Sequence, residues 1–453
     1  MKDKWRNKSS SYQEAQCLRY IREYPILGRV LEKFILKYES YGDVVGRISF
    51  SKVSEAEREI LEGFFQKNYH GKKQIGISAK DLSNALQNSR FSEISAQRLL
   101  EVYAKTELYS KAEIKQQELK IWQCIFEEMK RHYKGTCAIG WLEAVWLEKQ
   151  YGYLFLQGVY KENEDGIEVV KQALHLGSEI VNRLPIWSNE QEYLAIFATQ
   201  ITGNPHAFDE KNPHGKYLLQ ILQWEMESCD KRDYHEQRKV FRSLEKQRLY
   251  LNAGILIDDI SNYVVVSGIR AVTKKGNYHQ GMDGFVLEES SVQVPLSVLT
   301  TWEKVICPEN RLYIVENPTI YASLVNKWGS KKALFCMNGQ PKLSSLVFLD
   351  LLEYEKVEIF YWGDFDPEGL LIAQKVKEHY RGLFSYWNMS LEDYRVAQSN
   401  EVISAKRLVS LKLIKDKALE EVVLEMQRCR KAGYQEKQQS YLTAIDGEYR
   451  KKV

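Results

Sequence analysis

Three strand-to-helix passages between Arg311 and Val376 limit the fold of this chain more than any other feature. Arg311-Leu312-Tyr313-Ile314-Val315, Ala333-Leu334-Phe335-Cys336-Met337 and Val357-Glu358-Ile359-Phe360-Tyr361-Trp362 are short runs rich in β-branched and aromatic residues, and they read as buried strands. A helical stretch follows each: one from Pro318, one from about Lys342 to Leu352, and one from Pro367 through Leu370, Leu371, Ala373 and Val376. The β-α-β-α-β-α order calls for parallel strands joined by right-handed crossovers. The expected class is an α/β C-terminal domain, a parallel sheet flanked by helices, behind a mainly helical N-terminal region.

Acidic residues stand where these strands end. Glu316 closes the first. Gly363 breaks the third, and Asp364 and Asp366 follow two apart, so in extended backbone both carboxylates leave one side. Pro367 suits the first turn of a helix, which makes Asp366 its expected N-cap. If the strands are neighbours, Glu316, Asp364 and Asp366 converge at the edge where open α/β sheets bind ligands. Three ionised carboxylates that close repel, and one keeps its proton unless a cation sits among them. An all-oxygen donor set suits Mg²⁺ or Mn²⁺, which also take phosphate oxygens. Glu368 is a further candidate, as an outer-shell or second-metal ligand. The bland alternative for either Asp alone is a cap or turn residue; the combination with Glu316 favours the metal reading.

Glu316 after one strand and Asp364-Phe365-Asp366 after a later one resemble the Toprim domain of topoisomerases, topoisomerase VI among them, and of primases and several nucleases. Val315-Glu316-Asn317-Pro318, Cys336-Met337-Asn338-Gly339-Gln340-Pro341, Tyr361-Trp362-Gly363-Asp364-Phe365-Asp366 and Thr202-Gly203-Asn204-Pro205-His206-Ala207-Phe208-Asp209 are similar to the JetD family, the Toprim-containing component of Wadjet-type anti-plasmid defence systems. The resemblance implies a homodimeric Mg²⁺-dependent endonuclease for double-stranded plasmid DNA. It also implies partners: an SMC-like ATPase, a kleisin and a kleisin-associated protein. Glu316, Asp364 and Asp366 would be the catalytic acids, and Glu316 is also a candidate general acid or base.

The chain of 453 residues is long enough for several domains. Boundaries are expected near 135 and 245: an N-terminal region 1–135, a helical middle region 136–245, and the Toprim domain with a helical tail, 246–453. In the first region, one helical face carries Leu27, Val30, Leu31, Phe34, Ile35 and Tyr38. Val44–Phe50 and Ile75–Ile77 read as strands. Ser54-x-x-Glu57 and Ser110-x-x-Glu113 are capping boxes. That alternation allows a winged-helix unit. From Gly254 the pattern turns to strands, expected at Tyr263–Val266 and Phe285–Leu287 around a polar hairpin loop, Lys274–Gly284. Leu383–Trp387 is expected to add another.

Composition narrows the function. No apolar run approaches the ~20 residues of a membrane span, and Met1-Lys2-Asp3-Lys4-Trp5-Arg6 has no apolar signal core, so a cytoplasmic protein is expected. Seven scattered cysteines without a Cys-x-x-Cys pair argue against structural zinc. No P-loop motif is present, so any ATP is handled by another protein of the complex. With a net charge of only +3, DNA must be met by local basic patches. The candidates are Lys412, Lys415, Arg428 and Arg430 in the tail, equally readable as solvated surface, and the segment Lys231–Lys239, where a solvated helix face is the favoured reading. His206 and Asp209 are assigned no role, because a His–Asp pair is usually a structural hydrogen bond. Two rival functions are a topoisomerase or recombination-type enzyme with a Tyr nucleophile, and a non-catalytic DNA-binding assembly module.

Overall fold

The computed structural model describes residues 2–228, 239–258, 260–353 and 355–438. Two compact units make up the chain, Met1–Arg131 and His132–Val453. In the first, α1 (Lys2–Glu23), α2 (Pro25–Tyr41), α3 (Glu55–Phe65), α4 (Ala79–Gln87) and α5 (Ala96–Ala104) accompany one antiparallel pair, β1 (Arg47–Phe50) and β2 (Ile75–Ser78). Leu27, Val30, Leu31 and Phe34 of α2 pack with Leu61 of α3 and Leu99 of α5. The capping box at Ser54 forms, its hydroxyl accepting from Glu57 N–H and the Glu57 carboxylate accepting in return. That at Ser110 starts α6 (Lys111–His132) in the same way. A winged-helix unit would carry a hairpin after its last helix. Here β1 and β2 lie on either side of α3, and no strand stands between α5 and α6, so that expectation is not met.

The second unit opens with helices: α7 (Ala138–Glu148), α8 (Tyr153–Glu162), α9 (Gly166–Asn182), α10 (Leu194–Thr202), α11 (Pro213–Ser228) and α12 (Glu245–Asn252). Gly177 of α9 permits their close approach, since a methyl there would meet the Trp141 ring at 2.2 Å. Trp141, Val145, Leu174 and Phe197 are buried, whereas Leu154 and Ile196 face solvent. A pair of two-residue strands, β3 (Glu192–Tyr193) and β4 (Ile255–Leu256), precedes the main sheet.

That sheet has six strands. They are β5 (Tyr263–Ser267), β7 (Val292–Pro295), β9 (Arg311–Val315), β10 (Ala333–Cys336), β11 (Glu358–Trp362) and β12 (Phe384–Tyr386), in the order β12-β11-β9-β10-β5-β7. The first four in that order are mutually parallel; β5 runs antiparallel to β10, and β7 runs antiparallel to β5. The sheet is therefore mostly parallel, with antiparallel pairing confined to one side, as is common in large sheets. Every residue of β10, and all of β9 after Arg311, is buried, which fits strands covered on both faces. A second pair, β6 (Arg270–Thr273) and β8 (Trp302–Ile306), lies outside the sheet. Phe285-Val286-Leu287, expected as a strand, ends a helix, α13 (Gln280–Leu287). His279 caps it through Met282 N–H, and Leu287 is 77% exposed, so no sheet neighbour buries the run. The polar hairpin loop accordingly stops short of Gln280.

The crossovers are helical: α15 (Pro318–Trp328), α16 (Leu343–Glu353) and α17 (Pro367–His379), with the short α14 (Leu296–Leu299) before β8. Both turns at the sheet edge use one device. Asn317 caps α15 by accepting from Thr319 N–H at 2.8 Å, and Asp366 caps α17 by accepting from Gly369 N–H at 2.7 Å, each ahead of a proline. Asp350 of α16 joins Arg248 of α12 at 2.8 Å and His379 of α17 at 2.9 Å, fastening the helical region to the sheet layers. The tail is less regular than expected: α18 (Leu391–Ala397), β13 (Gln398–Val402), α19 (Ala405–Leu408), two 3-10 turns, α20 (Glu420–Cys429) and β14 (Lys431–Gly433), which pairs with β13. No helix among the described residues is long and apolar enough to cross a membrane.

Candidate active site

Because β9 and β11 are neighbours, with Val315 paired to Trp362, the next residues of both strands meet at the edge. Glu316 N–H donates to Trp362 O at 3.2 Å, and Asp364 N–H donates to Glu316 Oε2 at 3.4 Å. Gly363 makes room for that carboxylate. A methyl at 363 would stand 2.9 Å from Glu316 Oε2 and 3.0 Å from Tyr361 Cε1. The Tyr361 hydroxyl, 3.6 Å from the same point, is buried without a hydrogen-bond partner. On the other side of β9, Asn338 takes a left-handed conformation (φ 51°) and donates its N–H to Glu316 O at 3.1 Å.

The remaining contacts come from far along the chain. Gly433 of β14 exchanges backbone hydrogen bonds of 2.8 and 2.9 Å with Phe365. Gln435 then donates its N–H to Asp364 Oδ1 at 2.9 Å. Its fully buried side chain donates to Trp362 O at 2.9 Å and accepts from Asn317 N–H at 3.0 Å. Glu436, the next residue, accepts from Asn317 Nδ2 at 2.6 Å. This strap holds Asp364 in place and brings a fourth acid to the edge. Sequence reasoning missed it, since nothing in Tyr434-Gln435-Glu436 marks a site and only β14's pairing with Phe365 places it there.

Burial chiefly, then the Asp364 and Asp366 charges, push the Glu316 carboxyl up to about 8, against the opposing pull of Asp364 N–H. Burial pushes Asp364 up to about 6, with Glu436 and Asp366 adding to it and Gln435 N–H opposing. Near pH 7 Glu316 thus keeps its proton while Asp364 is ionised. Asp366 and Glu368 are placed differently. Asp366 Oδ1 caps α17, and Oδ2 accepts from Arg407 Nη2 at 2.6 Å. Glu368 also pairs with Arg407, which draws its carboxyl below the usual range.

The structure therefore brings Glu316 and Asp364 together and commits Asp366 and Glu368 to other contacts. Among the described residues no three His, Cys, Asp or Glu side chains are gathered closely enough to hold a metal ion as they stand. Glu316 and Asp364 supply the all-oxygen donors that a hard cation takes, and the missing side chain at Gly363 leaves room for the Glu316 carboxyl. The expected basic residues Lys412, Lys415, Arg428 and Arg430 are exposed, and Arg428 is paired with Glu425 at 2.5 Å. Residues 231–238 of the other basic segment lie outside the described residues. His206 Nδ1 and Asp209 Oδ2 stand 3.1 Å apart on the surface, as a structural pair would.

Two family models match the chain. Residues 44–271 match the N-terminus of a protein of unknown function, DUF3323, and residues 292–444 match the C-terminus of a protein of unknown function, DUF2399. The first spans just over half of the 453 residues. No curated protein matches.

Proposed function

We propose that this chain, which belongs to the DUF3323 family, is a metal-dependent DNA endonuclease of Toprim type, working as one component of a larger complex. The observation that carries this reading is the contact between Glu316 and Asp364 at the ends of two adjacent parallel strands, which sets two carboxyl groups side by side as oxygen donors. The DUF3323–DUF2399 pair is also the architecture of JetD-like proteins, which favours a place in a Wadjet-type complex with an SMC-like ATPase, its kleisin and a kleisin-associated protein. Homodimerisation, plasmid DNA as substrate and a cytoplasmic location come with that resemblance.

In the proposed reaction a phosphodiester is hydrolysed in line. Glu316 and Asp364 would hold a Mg²⁺ or Mn²⁺ ion, which would polarise the phosphate and lower the pKa of the attacking water. Gln435 N–H orients Asp364, and Asp364 N–H orients Glu316, so the pair is set before DNA arrives. Glu316 would have to give up its proton to serve as a ligand. The Tyr-nucleophile reading gains nothing from Tyr361, the tyrosine beside the acids, because its hydroxyl is fully buried.

The test is plasmid cleavage with all partner proteins present. Asp364→Ala and Glu316→Ala are each expected to abolish cutting while duplex binding persists. Wild-type rates from both variants would sink the nuclease reading, and a covalent protein–DNA adduct would favour the topoisomerase-type rival.

A further inference from the structure

Arg407, on the short α19, explains why Asp366 stands apart from the other two acids. Its Nη2 donates to Asp366 Oδ2 and to Glu368 Oε2, both at 2.6 Å. Its Nε reaches the two Glu368 oxygens at 3.1 and 3.0 Å, and Nη1 lies 3.6 Å from Glu401 Oε1. One positive charge thus faces three carboxylates. Asp366 has no oxygen left over, since Oδ1 is held by Gly369 N–H.

We propose that Arg407 is a latch that a DNA phosphate opens: in the free chain it occupies Asp366 and Glu368, and on a duplex it moves to a backbone phosphate and frees Asp366 to join Glu316 and Asp364. This rests on the metal-nuclease reading given above. A guanidinium is a planar fork that grips a phosphate as it grips a carboxylate, so the exchange conserves its two-point contact. The Arg407 side chain is 33% exposed, and the swap needs no opening of the core. Asp366 remains the cap of α17 through Oδ1 throughout, so the helix does not unwind when Oδ2 is released. The consequence is coupling between two ligands: duplex tightens the divalent ion and the ion tightens duplex, by the same factor. A chain built in this way loads its metal on DNA and stays poorly loaded away from it.

The experiment is titration of the full chain with Mn²⁺, reading free ion by electron paramagnetic resonance, with and without a short duplex made cleavage-resistant by phosphorothioate linkages. For the wild type, duplex is expected to tighten Mn²⁺ about tenfold, within the range usual for coupled sites. Arg407→Gln should bind Mn²⁺ about tenfold tighter than wild type without DNA and gain nothing more from duplex, as removal of one side of a coupled pair requires. Arg407→Lys keeps the charge but not the fork, and should also bind more tightly than wild type without DNA. Should Arg407→Gln fail to fold, Arg407→Lys carries the test. A latch is refuted if Asp364-dependent Mn²⁺ binding is the same in wild type and folded Arg407 variants. It is equally refuted if Arg407→Lys matches wild type, because the effect is then one of charge alone. Absence of any Mn²⁺ binding that Asp364→Ala abolishes, with or without duplex, overturns the metal reading beneath it.

Discussion

Replacing Glu316 with Gln should make the metal-free protein more stable in mildly alkaline solution, and the size of the gain follows from where the carboxyl sits. The folded Glu316 keeps its proton to about pH 8, against 4.5 for an ordinary glutamate. Between those values the folded state binds more protons than the unfolded state, so stability falls as pH rises through the window and levels off above it. At 1.36 kcal/mol for each pH unit, the fully ionised fold gives up on the order of 5 kcal/mol. Glutamine cannot ionise, fills the same space beside Gly363, and keeps an oxygen to accept Asp364 N–H. Asp364, raised from 3.8 to about 6, loses stability in its own lower window in both proteins, so that loss cancels in the comparison. The assay is urea unfolding in EDTA from about pH 4 to about pH 8.5. Buried Trp302 and Trp362, in one core, report on the second unit. The wild type should lose several kcal/mol over that range that Glu316→Gln does not lose. Mg²⁺ at a hundred times its dissociation constant should return about 2.7 kcal/mol to the wild type. Parallel pH curves for the two proteins would refute the burial argument.

Asp366→Ala loses both the helix cap and the Arg407 ion pair, and should cost about 1–3 kcal/mol on urea unfolding. Asp366→Asn retains the cap, so it should stay within about 1 kcal/mol of wild type while plasmid cutting fails. Gly363→Ala forces Glu316 or the packed Tyr361 ring to move and should cost about 1–3 kcal/mol with loss of cleavage. Normal cutting by that variant would show that the Glu316 position is not needed. Duplex binding by the isolated chain should weaken roughly a thousandfold between 50 and 200 mM salt if 6–10 phosphates are touched, and a flat curve would remove the exposed tail lysines and arginines from consideration.

The sheet and its crossovers were legible because each signal there is local. Val315, Phe335 and Trp362 sit in mostly apolar runs, and Asn317-Pro318 and Asp366-Pro367 are start signals that need no distant partner. Glu316 and Asp364 were legible for the same reason once β9 and β11 were taken as neighbours. Phe285-Val286-Leu287 misled because β-forming side chains there cover nothing, and local propensity yields to a His279 cap that no usual signature marks. Arg407 was beyond reach: its contact with Asp366 spans 41 positions, and a lone Arg between Lys406 and Leu408 looks like any surface charge. Asp366 was expected as a ligand from its spacing to Asp364, its strand-end position beside Glu316 and the Toprim resemblance, none of which fixes which cation meets it first.

The bond from Gln435 to Asp364 also sets a schedule for synthesis. The two residues are 71 positions apart, and at 5–20 residues per second the ribosome makes the second roughly 4–14 s after the first. During that interval the sheet can form, since the strands from β5 to β12 precede the strap, yet Asp364 has only water where the Gln435 amide will be. Contacts of such long separation also tend to close late in folding. A nascent chain therefore carries its acids in an unfinished edge until the strap has been translated and has docked on Phe365.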